Sequence, residues 1–136
     1  MPALAWSTKR DPRLDGAWLP VTALISGETL PVSELRIARL SFKGQRYQIF
    51  DRQQRMVDGG EVRLDTAASP CAMDLVGLEG PHAGRTLLAI YELAGDRLSI
   101  CYDMETGAAR PRTMQPMEEE QVLVVITYAR DVRVLS

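Results

Sequence analysis

Histidine is almost missing from this chain, with His82 alone, and cysteine is scarce, with only Cys71 and Cys101. One imidazole and two thiols without Cys-x-x-Cys spacing fall short of a structural zinc site, so no metal or other cofactor is expected. Two cysteines also cannot staple a disulfide scaffold. Lysine is nearly absent too: of 16 cations only Lys9 and Lys43 are lysines, and the arginines are scattered rather than clustered. With 18 carboxylates the net charge is -2, which offers no general attraction for nucleic acid or an acidic membrane surface. Long apolar runs are lacking as well. The longest are about five residues, such as Val122 to Ile126, against the roughly 20 that a membrane-spanning helix needs. The first residues, MPALAWSTKRDPRLDG, lack a basic segment followed by about 7–15 apolar residues, so no signal peptide is expected. These absences predict a soluble cytoplasmic protein whose cysteines are reduced thiols.

What is present suits one globular domain. The chain has 136 residues, 46% of them hydrophobic and 25% charged, enough to fill one core and too apolar for intrinsic disorder. Residues 1–13 carry Pro2, Pro12 and mixed charge without a period, and read as a flexible arm. From Leu14 onward short strand-like segments alternate with turn residues. Gly16 to Ser26 is the first, with Pro20 marking a bulge or edge. Pro31 to Leu35 suits a short helix. Leu40 and Phe42 alternate with Arg39 and Ser41, and Tyr47 and Ile49 share a face after the Lys43-Gly44 turn. Val62 and Leu64 alternate with Glu61 and Arg63. Ala72 to Leu78, Arg85 to Leu93, Leu98 to Tyr102 and the apolar run ending at Tyr128 complete about eight strands. That spacing predicts an all-β sandwich or closed barrel.

Gly16-Ala17-Trp18 opens the first strand and Arg130 closes the last. Between them stand Leu64-Asp65, Ser69-Pro70, Asp74-Leu75, Gly80-Pro81, Gly84-Arg85-Thr86-Leu87, Ile90-Tyr91-Glu92-Leu93, Gly95-Asp96, Leu98, Cys101 and Arg110-Pro111. In order and spacing these resemble a small bacterial lipocalin-like domain family, abundant in planctomycetes, over roughly residues 14 to 130. Ala89 stands where that family usually has Gly, and Met114 where it usually has an aromatic. The resemblance implies one antiparallel up-and-down barrel of about eight strands, with one short helix between strands 1 and 2. It divides the chain into an arm (1–13), a barrel (14–130) and a tail (131–136). The family has no established activity, so the resemblance implies a fold and leaves function to the residues. In lipocalin-type barrels the Trp plugs one end and a basic residue packs over it. First and last strands pair in a closed barrel, so Arg130 is expected within about 6 Å of the Trp18 ring as a cation–π contact.

The other motifs have bland readings. Gly80 to Thr86 superficially resembles a phosphate loop, but the gap between its glycines is short, Arg replaces Lys and a strand follows. His82 has the chemistry of a general base, yet sits in an exposed Gly-Pro turn. Cys101 lies in an apolar strand and reads as a small hydrophobe rather than a nucleophile. Glu118, Glu119 and Glu120 point in different directions and read as a solvated loop. Met104, Met114 and Met117 read as core filling or a binding surface. An eight-stranded barrel holds packed side chains or one small ligand. The first functional expectation is therefore a barrel binding one apolar or amphipathic small molecule, with lining candidates Tyr47, Met73, Tyr91, Tyr102, Met114 and Tyr128. A cyclase or isomerase built on the same cavity, and a filled barrel that docks another protein, stand as alternatives.

Overall fold

The computed structural model describes residues 11–103, 110–114 and 122–131. Met104, Met117, Glu118 to Glu120, the first ten residues of the arm and the tail beyond Asp131 lie outside these, as does the side chain of His82. Among the described residues nine strands follow one another: β1 (Gly16–Ile25), β2 (Glu28–Leu30), β3 (Arg39–Lys43), β4 (Arg46–Phe50), β5 (Met56–Asp65), β6 (Cys71–Glu79), β7 (Thr86–Ala94), β8 (Arg97–Asp103) and β9 (Leu123–Arg130). From β3 to β9 each strand pairs antiparallel with the next, and β1 pairs with both β3 and β9. The result is a closed eight-stranded antiparallel barrel. Strand β2 is outside that count, a hairpin arm folded back on the far half of β1 through Ala23↔Leu30.

The period of two in the sequence decides what faces inward. Leu40 and Phe42, Val62 and Leu64, Ala89 and Tyr91, Leu98 and Ile100, and Val124, Ile126 and Tyr128 form one buried cluster with Trp18 and Met73. Phase is kept along β1 by a register shift between Pro20 and Thr22. There Pro20, which has no N–H to give, sits at the irregularity. A second constraint falls on β5 and β6, where Gly60 pairs with Gly77. A Cβ on Gly60 would collide with the Val76 carbonyl, so the two backbones approach as closely as they do only because a hydrogen stands there.

One expectation is corrected. The short helix between the first barrel strands is a single 3-10 turn, Val32–Glu34. Pro31 sets its start, but Leu35 is already extended, leaving too few residues for an i→i+4 ladder. A second short turn precedes the first strand. Pro12–Leu14 form another 3-10 turn, with Asp11 as its N-cap, and Leu14 is 2% exposed. Asp before Pro supplies a side-chain cap and a preset φ, and both favour that turn.

Candidate functional site

The starts of β1, β4, β6 and β8 and the ends of β3, β5, β7 and β9 meet at one end of the barrel, and that end is sealed. Trp18 is fully buried and donates its indole N–H to the Leu14 carbonyl at 2.8 Å. It pairs directly with Arg130 across β1 and β9. The Arg130 guanidinium lies over the indole, 4.3 Å from the ring centroid. Its other donors reach the Asp15 carbonyl (3.0 Å), the Arg13 carbonyl (2.6 Å) and the Asp96 carboxylate (3.2 Å). Gly16 has a φ of 124°, and a Cβ there would press within 3.3 Å of the same guanidinium. The spacing Gly-x-Trp thus has a cause in this chain: the glycine makes room for the arginine that covers the tryptophan.

Asp11 completes the plug. It accepts two 2.8 Å hydrogen bonds from Arg13 and one at 3.3 Å from the Tyr91 hydroxyl. The Arg13 guanidinium beside it holds its carboxyl below the usual aspartate range, against the opposing effect of burial. Burial, reinforced by the Asp11 charge, pushes the Tyr91 phenol upward. Sequence reasoning identified Trp18 and Arg130 here but missed Asp11, Arg13 and Asp96. The Asp11-Pro12 capping signal was the one local clue.

The remaining tyrosines behave differently. Tyr47, Tyr102 and Tyr128 all pack with the interior cluster, yet among the described residues none of their hydroxyls makes a hydrogen bond. Among the described residues no enclosed side-chain oxygen lacks a partner, so each of these hydroxyls borders space that water can reach. Burial pushes all three phenols up: Tyr47 to about 12, with the Asp58 carboxylate adding to it, and Tyr128 further, with Tyr102 as its neighbour. At neutral pH they are uncharged donors and acceptors. Met73 is fully buried among the same side chains.

The end opposite Trp18 has an aliphatic rim that is only partly covered. Ile25, Leu30, Leu35, Ile37, Ile49 and Tyr102 pack on the core while remaining partly exposed. Beside Leu35 a cleft of about 330 Å³ runs between the Val32–Glu34 turn and the β4–β5 connection, lined also by Ser33, Arg36, Asp51 and Arg52. Arg52 crosses it to the Ser33 carbonyl at 2.6 Å.

Met114 is placed elsewhere than expected. It packs on the outside of the barrel against Ile90, Cys101 and Leu123. Arg110 pins this segment by pairing with Asp74 and donating to the Ala89 carbonyl at 2.8 Å. Both cysteines are free thiols. They face opposite sides of the sheet, Cys71 inward and Cys101 outward. Burial pushes the Cys101 thiol up to about 11, the wrong direction for a nucleophile. His82 ends the 3-10 turn Gly80–His82 at the rim between β6 and β7. Among the described residues no cluster of His, Cys, Asp and Glu could hold a metal ion, and no helix is long and apolar enough to cross a membrane. Comparison with known proteins finds no matching family model, no matching characterised protein and no matching solved structure.

Proposed function

We propose that this chain is a lipocalin-like binding barrel that takes one small, uncharged, apolar or amphipathic molecule through the end opposite Trp18. The observation carrying this reading is the set of three inward tyrosine hydroxyls that find no hydrogen-bond partner among the described residues. Such groups in an otherwise apolar interior are handles for a ligand oxygen or nitrogen. The half-covered aliphatic rim, with the cleft beside Leu35, supplies the entry side. Because Trp18 and Arg130 close the other end, the ligand occupies the half bounded by Ile49, Tyr102 and Val124. The family resemblance in the sequence is part of the same proposal.

Native mass spectrometry of freshly purified protein, with a Nile red titration, tests it. The expected result is a bound small molecule or saturable one-to-one dye binding with a blue shift. Ligands that accept a hydrogen bond are expected to lose about tenfold in affinity in Tyr102→Phe or Tyr128→Phe, one hydrogen bond's worth. A bare mass together with no saturable dye binding overturns the reading and leaves a filled barrel that docks another protein.

A further inference from the structure

The outer face of the β3–β4 hairpin has a composition that barrel closure does not require. Register places Lys43 directly opposite Arg46, and Ser41 directly opposite Gln48. These four side chains line a groove of about 110 Å³ on the outside of the wall. All four are hydrogen-bond donors, and no carboxylate is among them. Like charges directly opposite one another across a strand pair are destabilising. Among the described residues no ion pair engages Lys43, and the side chains of Ser41 and Gln48 make no hydrogen bond. Arg46 has an exposed carboxylate contact with Glu79 at 3.5 Å and stands directly opposite Glu61 across β4 and β5.

We propose that this groove is a binding site for a phosphoryl oxyanion, either inorganic phosphate or the phosphate monoester of a small molecule. A tetrahedral dianion between Lys43 and Arg46 would cancel their mutual repulsion. It would take charge-assisted hydrogen bonds from both, with the Ser41 hydroxyl and the Gln48 amide serving the remaining oxygens. The groove has room for one such group. It lies on the outside of the barrel, so the proposal stands or falls independently of any ligand in the interior.

The test is a titration of the intact protein with inorganic phosphate and with glycerol 3-phosphate. Amide NMR shifts are followed at constant ionic strength, with chloride and acetate as controls. Saturable shifts confined to residues 41–48 are expected for both phosphates and not for the controls. Lys43→Gln and Arg46→Gln should each weaken binding about tenfold, the scale of one charge-assisted hydrogen bond. The double variant should abolish it. Glu79→Gln should strengthen binding, because it frees Arg46. Without phosphate, Lys43→Gln should be at least as stable as the parent, since it removes a like-charge pair. Shifts of equal size with chloride, or a phosphate response that survives in the double variant, overturn the proposal.

Discussion

The two ends of this barrel are closed by different means. At the Trp18 end an aromatic ring is covered by a cation, and each donor of that cation is aimed at a carbonyl or carboxylate: Asp15, Arg13 and Asp96. At the other end Ile25, Ile37 and Ile49 lie partly covered, and the polar contacts described there are peripheral: Arg52 reaches the Ser33 carbonyl at 2.6 Å and Arg39 lies over the Phe50 ring, 4.2 Å from its centroid. Directional hydrogen bonds fix one geometry, whereas aliphatic contacts tolerate rearrangement at small cost. A barrel that is rigid at one end and adaptable at the other can admit a guest without losing its register.

The largest effects should therefore come from the sealed end. Trp18→Ala removes a fully buried ring and a satisfied indole N–H, and is expected to cost about 3–5 kcal/mol. In a domain of this size that approaches the whole stability. Ile49→Ala at the opposite end, where part of the side chain already meets water, should cost about 1 kcal/mol. Urea denaturation of both variants measures the contrast, and equal losses would mean that the ends are equally packed.

Arg130→Ala comes next, at about 2–3 kcal/mol, because it loses the ring contact together with hydrogen bonds from a charged donor. Arg130→Lys should recover only part of this. An ammonium can sit near the ring, but it cannot stack on it and serve three acceptors in a plane. Full recovery in a thermal melt would reduce the role of Arg130 to that of a point charge.

Much of this arrangement was legible in the sequence, and the rest was hidden for physical reasons. Pro20 announced its bulge, and the alternations around Leu40 and Val62 gave their strands and inward faces. Trp18 and Arg130 could be placed together because a closed barrel joins its first and last strands. Facing was not legible in β7 to β9, where Ile90, Cys101 and Leu123 make the outer side apolar too. The cause is distant: Arg110 pins its segment over those strands through Asp74, so both faces are covered and the period of two disappears. The same pinning explains why Met114, expected in the lining, lies outside. Asp11 was missed because a loose arm and a capped turn share a composition of Pro and charge. Which tyrosine hydroxyls lack partners depends on atoms far apart in the chain and leaves no local mark.

A smaller effect sets the pH response of the sealed end. Asp11 has its pKa lowered in the folded state, so its contribution is present above the unfolded aspartate value near ~4 and is lost as pH falls through the folded one. Stability of the parent should therefore decline below about pH 4 more steeply than that of Asp11→Asn, which is already without the charge. Denaturation midpoints between pH 7 and pH 2 read the difference, and parallel curves would exclude Asp11 from the acid response. Tyr47 acts at the opposite extreme. Its folded pKa is raised to about 12, so its contribution holds below the unfolded value near ~10 and is lost as pH rises between the two.

The smallest effects are the most discriminating, because they separate tyrosines of similar burial by what their hydroxyls do. Tyr91 donates a hydrogen bond to Asp11 at the sealed end, so Tyr91→Phe should cost about 1 kcal/mol. Tyr47, Tyr102 and Tyr128 have hydroxyls without a hydrogen-bond partner among the described residues, so in the ligand-free protein their Phe variants should each stay within about 0.5 kcal/mol of the parent. Removing a hydroxyl that bonds only water exchanges little, and the ring that supplies the packing is retained. The stability measurement thus has a counterpart in binding: a hydroxyl that contributes nothing to folding is free to contribute to recognition. If Tyr128→Phe costs as much as Tyr91→Phe in urea denaturation, its hydroxyl is tied within the wall, and the contrast between a braced end and a receptive interior fails at its central residue.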